Sequence, residues 1–320
     1  MYMFKYICKR IGLMVMTFTI IFCICFVLIK LLPIPINVTI GQDRAIIEAQ
    51  LEARGYFDPI PEQFVRYLKR IIVDGDFGIG VNMPEFRNKD VWQVFVSQLP
   101  PTVLINVYSS LFAVPMGLML GIYAALRKNK WQDHTNSTLG MVFISVPSYV
   151  TAFLVQYLLC FKLGWFPLTM KSGYDYFSWE MFKSLVPAVL SMSFGSIAGY
   201  CRFTRAELTE VLTGDYLLLA RTKGLTKRQS IMRHALRNAM VPIFPSIIGE
   251  FISVLSGSLI LEQIFAIPGV GRLYLASINT LDYDFFMLLS GFYCLIGLVA
   301  GIVIDLSYGI IDPRIRMGAK

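Results

Sequence analysis

Six stretches of this sequence carry close to twenty consecutive apolar residues, at about 11–32, 99–126, 137–163, 185–206, 241–262 and 287–310. A run of about 20 such residues spans a hydrocarbon core of about 30 Å as a helix rising about 1.5 Å per residue. Lipid offers the backbone no hydrogen-bond partners, so each segment must satisfy itself. The expected architecture is therefore all-α: a polytopic bundle of six transmembrane helices. The longer windows should tilt or project past the membrane. Composition agrees, since the chain is 56% hydrophobic and 16% charged, whereas soluble domains are about one quarter charged.

Lys5, Lys9 and Arg10 precede the first apolar run, which is longer than a signal-peptide core and is followed by Lys30 and Leu32-Pro33 rather than a cleavage pattern. It reads as a signal anchor with its N-terminus inside, Lys30 snorkelling to the outer interface. Counting spans from there puts seventeen of the 29 Lys and Arg residues in cytoplasmic segments, the asymmetry expected of a membrane protein. The net charge of +8 reads as that asymmetry and not as a nucleic-acid surface. The expected division is an N-terminus and first span at 1–32, an extracellular cap at 33–98, a membrane core at 99–310 with a cytoplasmic loop at 207–240, and a cytoplasmic tail at 311–320.

In the cap, Asp43 to Arg54 and Pro61 to Val73 have helical spacing, the second with Phe64, Leu68, Ile71 and Ile72 as its apolar stripe. Gly75-Asp76-Phe77-Gly78 reads as a turn. So small a segment cannot build a large core alone and should pack on the bundle.

Several kinds of chemistry find no support. Cys8, Cys23, Cys25, Cys160, Cys201 and Cys294 lie in or beside apolar spans and read as small buried hydrophobes. With His134 and His234 as the two histidines and no Cys-x-x-Cys, no metal site is expected. There is no Gly-x-x-x-x-Gly-Lys-Ser/Thr loop for ATP and no Ser-His-Asp arrangement. No catalytic role and no cofactor are expected.

The stretch from Gly214 to Pro242 is different: a basic, amphipathic insert between apolar runs. Asp215 is placed to N-cap a short helix, and Gly224 to end it in the left-handed conformation. Thr226 with Gln229 makes a capping-box pattern for a second helix. On that helix Ile231, Met232, Ala235, Leu236 and Ala239 share one face, with Lys227, Arg228, Arg233, His234 and Arg237 around it. Such a helix-turn-helix on the cytoplasmic side is a docking surface for a soluble partner. A solvated helix on anionic lipid is the other reading of the pattern.

With these residues in view, the whole chain resembles a permease subunit of the oligopeptide/dipeptide/nickel branch of bacterial ABC importers, the subunit with a long first outer loop. The likeness rests on Gly55, Asp58, Pro61, Gln63, Tyr67, Gly75-Asp76 and Gly78, then on Leu99-Pro100. It continues through Ala220-Arg221-Thr222-Lys223-Gly224-Leu225, Arg233 to Ala239 and Pro242. It closes on Glu262-Gln263-Ile264-Phe265, Pro268 to Arg272, Asp282-Tyr283, Asp305 and Asp312 to Arg316. The sequence departs from the family in places. Leu218-Leu219-Ala220 stands where the common importer motif has Glu-Ala-Ala, Pro33-Ile34-Pro35 replaces Pro-Gly-Asp-Pro, and Glu250 occupies a position that is usually neutral.

The resemblance implies a type I importer permease fold, a second homologous permease, two cytoplasmic ATPase subunits and an extracellular solute-binding protein. Peptides are the implied cargo, with a nickel chelate or another small solute as the alternative. It also implies that Asp215, Ala220, Gly224, Leu225, Arg233, His234, Ala235, Arg237, Asn238 and Pro242 couple the chain to its ATPases.

Glu250 is the acid expected well inside a span. A carboxylate there is costly and usually faces a polar cavity. With Ser253 it is a candidate lining residue of the translocation path. The alternative is a structural hydrogen bond to Ser246, Ser253 or a neighbouring helix. A rival class, a secondary transporter or channel using Glu250 as an ion site, lacks the paired broken helices of repeated halves. Glu262, at the outer end of the same window, reads as a residue that fixes a loop.

Overall fold

A computed structural model describes residues 2–32, 45, 49, 52, 55–171, 173 and 175–311. In chain order the helices are α1 (Tyr2–Leu31), α2 (Ile60–Asp74), α3 (Val91–Leu126), α4 (Trp131–Ser145), α5 (Ser148–Lys162), α6 (Trp179–Leu212), α7 (Asp215–Thr222), α8 (Lys227–Ser256), α9 (Leu259–Ile264), α10 (Val270–Thr280) and α11 (Tyr283–Ile311). Among the described residues no strand forms, and Ile79 with Asp90 makes an isolated bridge. By length and apolar content α1, α3, α6, α8 and α11 are able to cross a membrane, and the pair α4–α5 makes a sixth candidate. The all-α membrane bundle expected from the apolar windows is present.

Three windows differ from the expected spans. The third, 137–163, is not one straight rod: α4 and α5 meet at 101°. Val146 between them is extended, and Pro147, which has no amide hydrogen to continue a helix, caps α5. The second begins at Val91, well before Leu99-Pro100. The fifth starts inside the insert at Lys227, runs through Pro242 and Pro245, and ends at Ser256. Gly257, with φ +64°, then breaks the chain direction, so Glu262 belongs to α9 and not to the fifth span.

The chain divides into two compact units, Met1–Pro100 with Pro268–Leu298, and Pro101–Ile267 with Val299–Lys320. In the first, Phe26 and Ile29 of α1 pack with Tyr67 of α2 and with Tyr283 and Met287 of α11. The cap helix therefore has Tyr67 at the centre of its buried face. Ile72, expected on that stripe, is exposed, because it lies on the opposite side of α2. The expected helix at 43–54 lies outside the described residues apart from 45, 49 and 52. The turn at 75–78 is present, with the Gly78 amide donating to Asp76 Oδ1 at 2.7 Å. Asp282, fully buried ahead of α11, accepts on Oδ2 from the amides of Val81, Asn82 and Met83 at 2.8, 2.8 and 3.2 Å. This one carboxylate ties the segment before α3 to the start of α11.

In the second unit α3 and α6 approach closely. A Cβ on Gly117 would lie 2.6 Å from Tyr200 Cβ, and one on Gly121 would lie 2.6 Å from Thr204 Cβ. Gly117-x-x-x-Gly121 is thus a small-residue seam of the kind that lets membrane helices meet without a hydrophobic drive. Ser109 and Ser193 add a hydroxyl contact of 3.1 Å on the same pair of helices. Ile105, Met181, Leu185, Leu261, Phe265 and Ile267 form a buried cluster nearby. Glu262, at 0% exposure, accepts from Thr102 Oγ1 at 3.0 Å.

Candidate coupling site

The insert is a short helix, a tight turn and a capped second helix. Gly214, not Asp215, is the N-cap of α7, and Asp215 is its first helical residue. The Asp215 carboxylate still lies at the positive end of that helix, where a negative charge is favourable. After α7 ends at Thr222, Gly224 turns the chain with φ +89°, a conformation that non-glycine residues resist. Thr226 then caps α8. Its hydroxyl accepts from the Gln229 amide at 3.3 Å, and Gln229 Oε1 accepts from the Thr226 amide at 3.0 Å. The pattern Thr-x-x-Gln thus forms both bonds of the capping box.

Packing decides which side of the insert faces inward. Leu217 of α7, Ala235 and Ala239 of α8, Ala125 of α3 and Leu208 of α6 form one buried cluster, and Ala220 of α7 is buried as well. Small residues at 235 and 239 let α8 lie close to the ends of α3 and α6. Ile231 and Leu236 pack at the edge of this cluster. Met232, expected on the same face, is 60% exposed. The reason is local: Ile231 to Ala235 is wound as a π turn, with the Leu236 amide donating to the Ile231 carbonyl. One extra residue per turn shifts the register of the helical face there.

The outward side carries Tyr216, Leu218, Leu219 and Met232, all exposed. Around them Arg221, Lys223, Gly224, Lys227, Arg228, Arg233, His234, Arg237 and Asn238 are exposed, and Leu225 is half-buried. A groove of about 340 Å³ runs along α7, with Leu126, Leu212, Asp215, Leu218, Arg221 and Ser230 among its walls. The arrangement is a capped, basic platform with an apolar centre. Sequence reasoning did not assign Leu218, Leu219 and Tyr216 to it, although apolar residues on both sides of a short helix were a visible signal. Pro242 lies further along α8 and is half-buried.

A second contact went unread in the sequence. Asp133, buried in the first turn of α4, receives Arg205 of α6 through both Nε and Nη2, the latter at 2.8 Å. It also accepts from the amide of Asn129 at 2.9 Å. This paired, fully hydrogen-bonded carboxylate ties α4 to the part of α6 that leads into the insert. Its partners are 72 positions apart in sequence, so no local pattern announces it.

Glu250, half-buried on α8, accepts from Ser196 Oγ of α6 at 3.4 Å. Ser246 and Ser253, the two nearby hydroxyls on the same helix, do not serve it. Ser246 donates to the carbonyl of Ile243 at 2.8 Å, and Ser253 to the backbone carbonyl of Glu250 at 2.8 Å. Ser253 is exposed. The structure thus places Glu250 and Ser253 one turn apart, with the carboxylate touched by a neighbouring helix. Among the described residues no cluster of three or more His, Cys, Asp or Glu is placed to hold a metal ion.

Comparisons with known proteins agree with this geometry. A family model described as binding-protein-dependent transport system inner membrane component matches residues 117–317. The dipeptide transport system permease protein DppB of Bacillus subtilis (strain 168) is 34% identical over 99% of this chain and 100% of its own. The glutathione transport system permease protein GsiC of Escherichia coli (strain K12) is 31% identical over 98% of this chain and 99% of its own. Among solved structures, a bacterial ABC transporter involved in the import of the acidic polysaccharide alginate is 15% identical. It covers 86% of this chain and 99% of its own, with a TM-score of 0.51. The MetNI methionine ABC transporter, in an inward-facing conformation, is 17% identical, covers 68% of this chain and 97% of its own, and has a TM-score of 0.50. At such identities the two structures speak for the fold alone, which is that of a type I importer permease. The membrane bundle, the platform on its helix ends and a likeness that runs the length of the sequence make this chain a member of the binding-protein-dependent transport family, an inner-membrane permease component and not a catalytic subunit.

Proposed function

We propose that the chain is one of two homologous permease subunits in an ATP-driven importer of short peptides. One observation carries this reading: a capped helix pair, packed by Leu217, Ala235 and Ala239 against the bundle, turns Tyr216, Leu218, Leu219 and Met232 outward within a ring of basic residues. A capped surface of this kind fits a groove on a soluble ATPase, whose closure it passes to α6 and α8. Asp215, Ala220, Gly224, Leu225, Arg233, His234, Ala235, Arg237, Asn238 and Pro242 are the proposed coupling set, some by contact and some by holding the platform. The peptide cargo is supported by relatives named for dipeptide and glutathione transport. An extracellular binding protein delivers the peptide, and two cytoplasmic ATPases supply the energy. The N-terminus, 207–240 and the C-terminus are cytoplasmic, and 33–98 is outside, as the Lys and Arg distribution favours. Glu250 and Ser253 line the path.

Reconstitution with the second permease, the ATPases and the binding protein tests the proposal. A labelled dipeptide should enter proteoliposomes only with ATP, and entry should survive collapse of the proton gradient. Uptake by this chain alone, driven by a pH step, would overturn the importer reading. ATP-driven uptake of a nickel chelate but not of a dipeptide would overturn the cargo alone.

A further inference from the structure

The Asp133–Arg205 pair sits where charge adds little stability and much direction. The Asp133 side chain is 1% exposed and that of Arg205 is 31% exposed. Pairing offsets the cost of burying a carboxylate, and an apolar pair of similar size often holds its surroundings as well or better. What the pair adds is geometry. Nε and Nη2 of Arg205 meet the two oxygens of Asp133 as a fork, which fixes how α4 and α6 lie along each other. Two further contacts on this helix pair lack that direction. Phe143 stacks on Phe194 with ring centroids 4.9 Å apart and planes at 9°, and a Cβ on Gly140 would come no nearer than 4.0 Å to Ala198. Parallel rings and small residues allow the sliding of about 1–2 Å by which packed helices shift in switching proteins.

The pair also sits at a junction. Arg205 lies just under one turn before Leu208, which is fully buried in the cluster beneath the platform. From there α6 runs unbroken to Leu212, and Gly214 opens α7. On the other side α4 turns at Val146-Pro147 into α5. Gln156 of α5 donates through Nε2 to the carbonyls of Leu168 and Ile264 at 2.9 and 3.1 Å. The Met170 amide donates to the Phe265 carbonyl at 3.1 Å. The fork is thus a directional contact between the helix that carries the platform and the arm that holds the segment at 168–170 and the end of α9.

We propose that Asp133 and Arg205 are positioning residues for transport. They make α6 and α4 move as one piece, so that movement given to the platform reaches α5 and the loops it holds. This role rests on the importer reading above and adds to the coupling set a pair that touches no ATPase. With the fork broken, α6 slides past α4, and ATP is hydrolysed with less transport.

Wild type is compared with Asp133→Leu/Arg205→Met and with Arg205→Lys in the full complex, reconstituted with the second permease, the ATPases and the binding protein. The double variant removes both charges together and leaves the Asn129 amide to water, since Asn129 is exposed. It should assemble, with an unfolding midpoint at or above that of wild type. It should hydrolyse ATP as wild type does yet import about tenfold fewer peptides per ATP, the weight of a hydrogen bond to a charged group. Arg205→Lys keeps the charge, loses the fork and should show a smaller loss of the same kind. Nitroxide labels on Met141→Cys of α4 and Glu210→Cys of α6, both exposed positions, read the clamp in a cysteine-free background. Wild type should give one narrow distance with and without ATP, and the double variant a broad one. A double variant with the wild-type ratio of peptide to ATP, or with a label distance as narrow as wild type, would overturn the proposal. So would a double variant that fails to assemble while Arg205→Lys keeps the wild-type ratio, the mark of a purely structural pair. The label distance decides the clamp even if uptake needs no ATP, the result that would overturn the importer reading instead.

Discussion

Replacing Gly224 by valine separates the backbone geometry of the insert from its packing. An added Cβ at Gly224 would meet nothing within 4 Å, so no side chain is displaced. What remains is the torsion: φ is +89°, where an L residue is strained. Left-handed conformations cost about 1–2 kcal/mol per residue, more for a β-branched one. The effect on the native turn relative to alternatives is then about 5- to 30-fold. Gly224→Asn, a residue that tolerates positive φ better, should cost less, and Gly224→Ala should fall between. Insertion should be unaffected, since every span is untouched. The assay is peptide-stimulated ATP hydrolysis and uptake by the reconstituted complex, with complex assembly followed in parallel. The expected order of coupled transport is Gly, Asn, Ala, Val. If valine transports as well as glycine, or if asparagine is worse than valine, the turn is not what sets the platform and the reasoning fails.

Changes at three other positions probe different parts of the molecule. Glu250→Gln should fold normally, because an amide carbonyl can accept the Ser196 bond, and should alter the preference for free-amine over N-acetylated peptides; an unchanged preference would remove Glu250 from the path. Asp282→Ala orphans the amides of Val81, Asn82 and Met83 and should destabilise by about 3 kcal/mol or more, read as a lower unfolding midpoint. Burial raises the Asp282 carboxyl above its ordinary value, against backbone amides that favour its charge. The folded state then binds the proton more tightly, so the wild type should lose stability relative to Asp282→Asn as pH rises from about 4 through the folded value; a difference that is flat with pH would contradict this. Arg228→Cys in a cysteine-free background should react with an impermeant thiol reagent only from the cytoplasmic side, and labelling from outside intact cells would reverse the topology.

The bundle and the outline of the insert were legible because each rests on short-range physics. Apolar runs long enough to cross lipid must be helical, and the Thr226 to Gln229 box needs only residues three apart. The Gly224 turn is of the same kind, a single residue whose backbone freedom does the work. Misassignments arose where a local change of winding or direction interrupts the helical pattern, or where the fold selects another face. Met232 leaves the expected face because a π turn shifts the register, and Ile72 is exposed because it lies on the side of α2 away from Tyr67 and its contacts. Glu262 left the fifth span because Gly257 breaks the chain before it.

The sequence by itself determined that this chain is a helical membrane protein with a capped basic insert, since apolar length, loop charge and local caps act over one helix at a time. Tertiary structure alone decided which carboxylates are held and by what: Asp133 by Arg205, Glu250 by Ser196, Glu262 by Thr102 and Asp282 by three amides. It also decided that Gly117 and Gly121 bring two helices together. These are contacts between residues far apart in the chain, and a buried charge or a missing Cβ takes its meaning from whatever the fold brings against it.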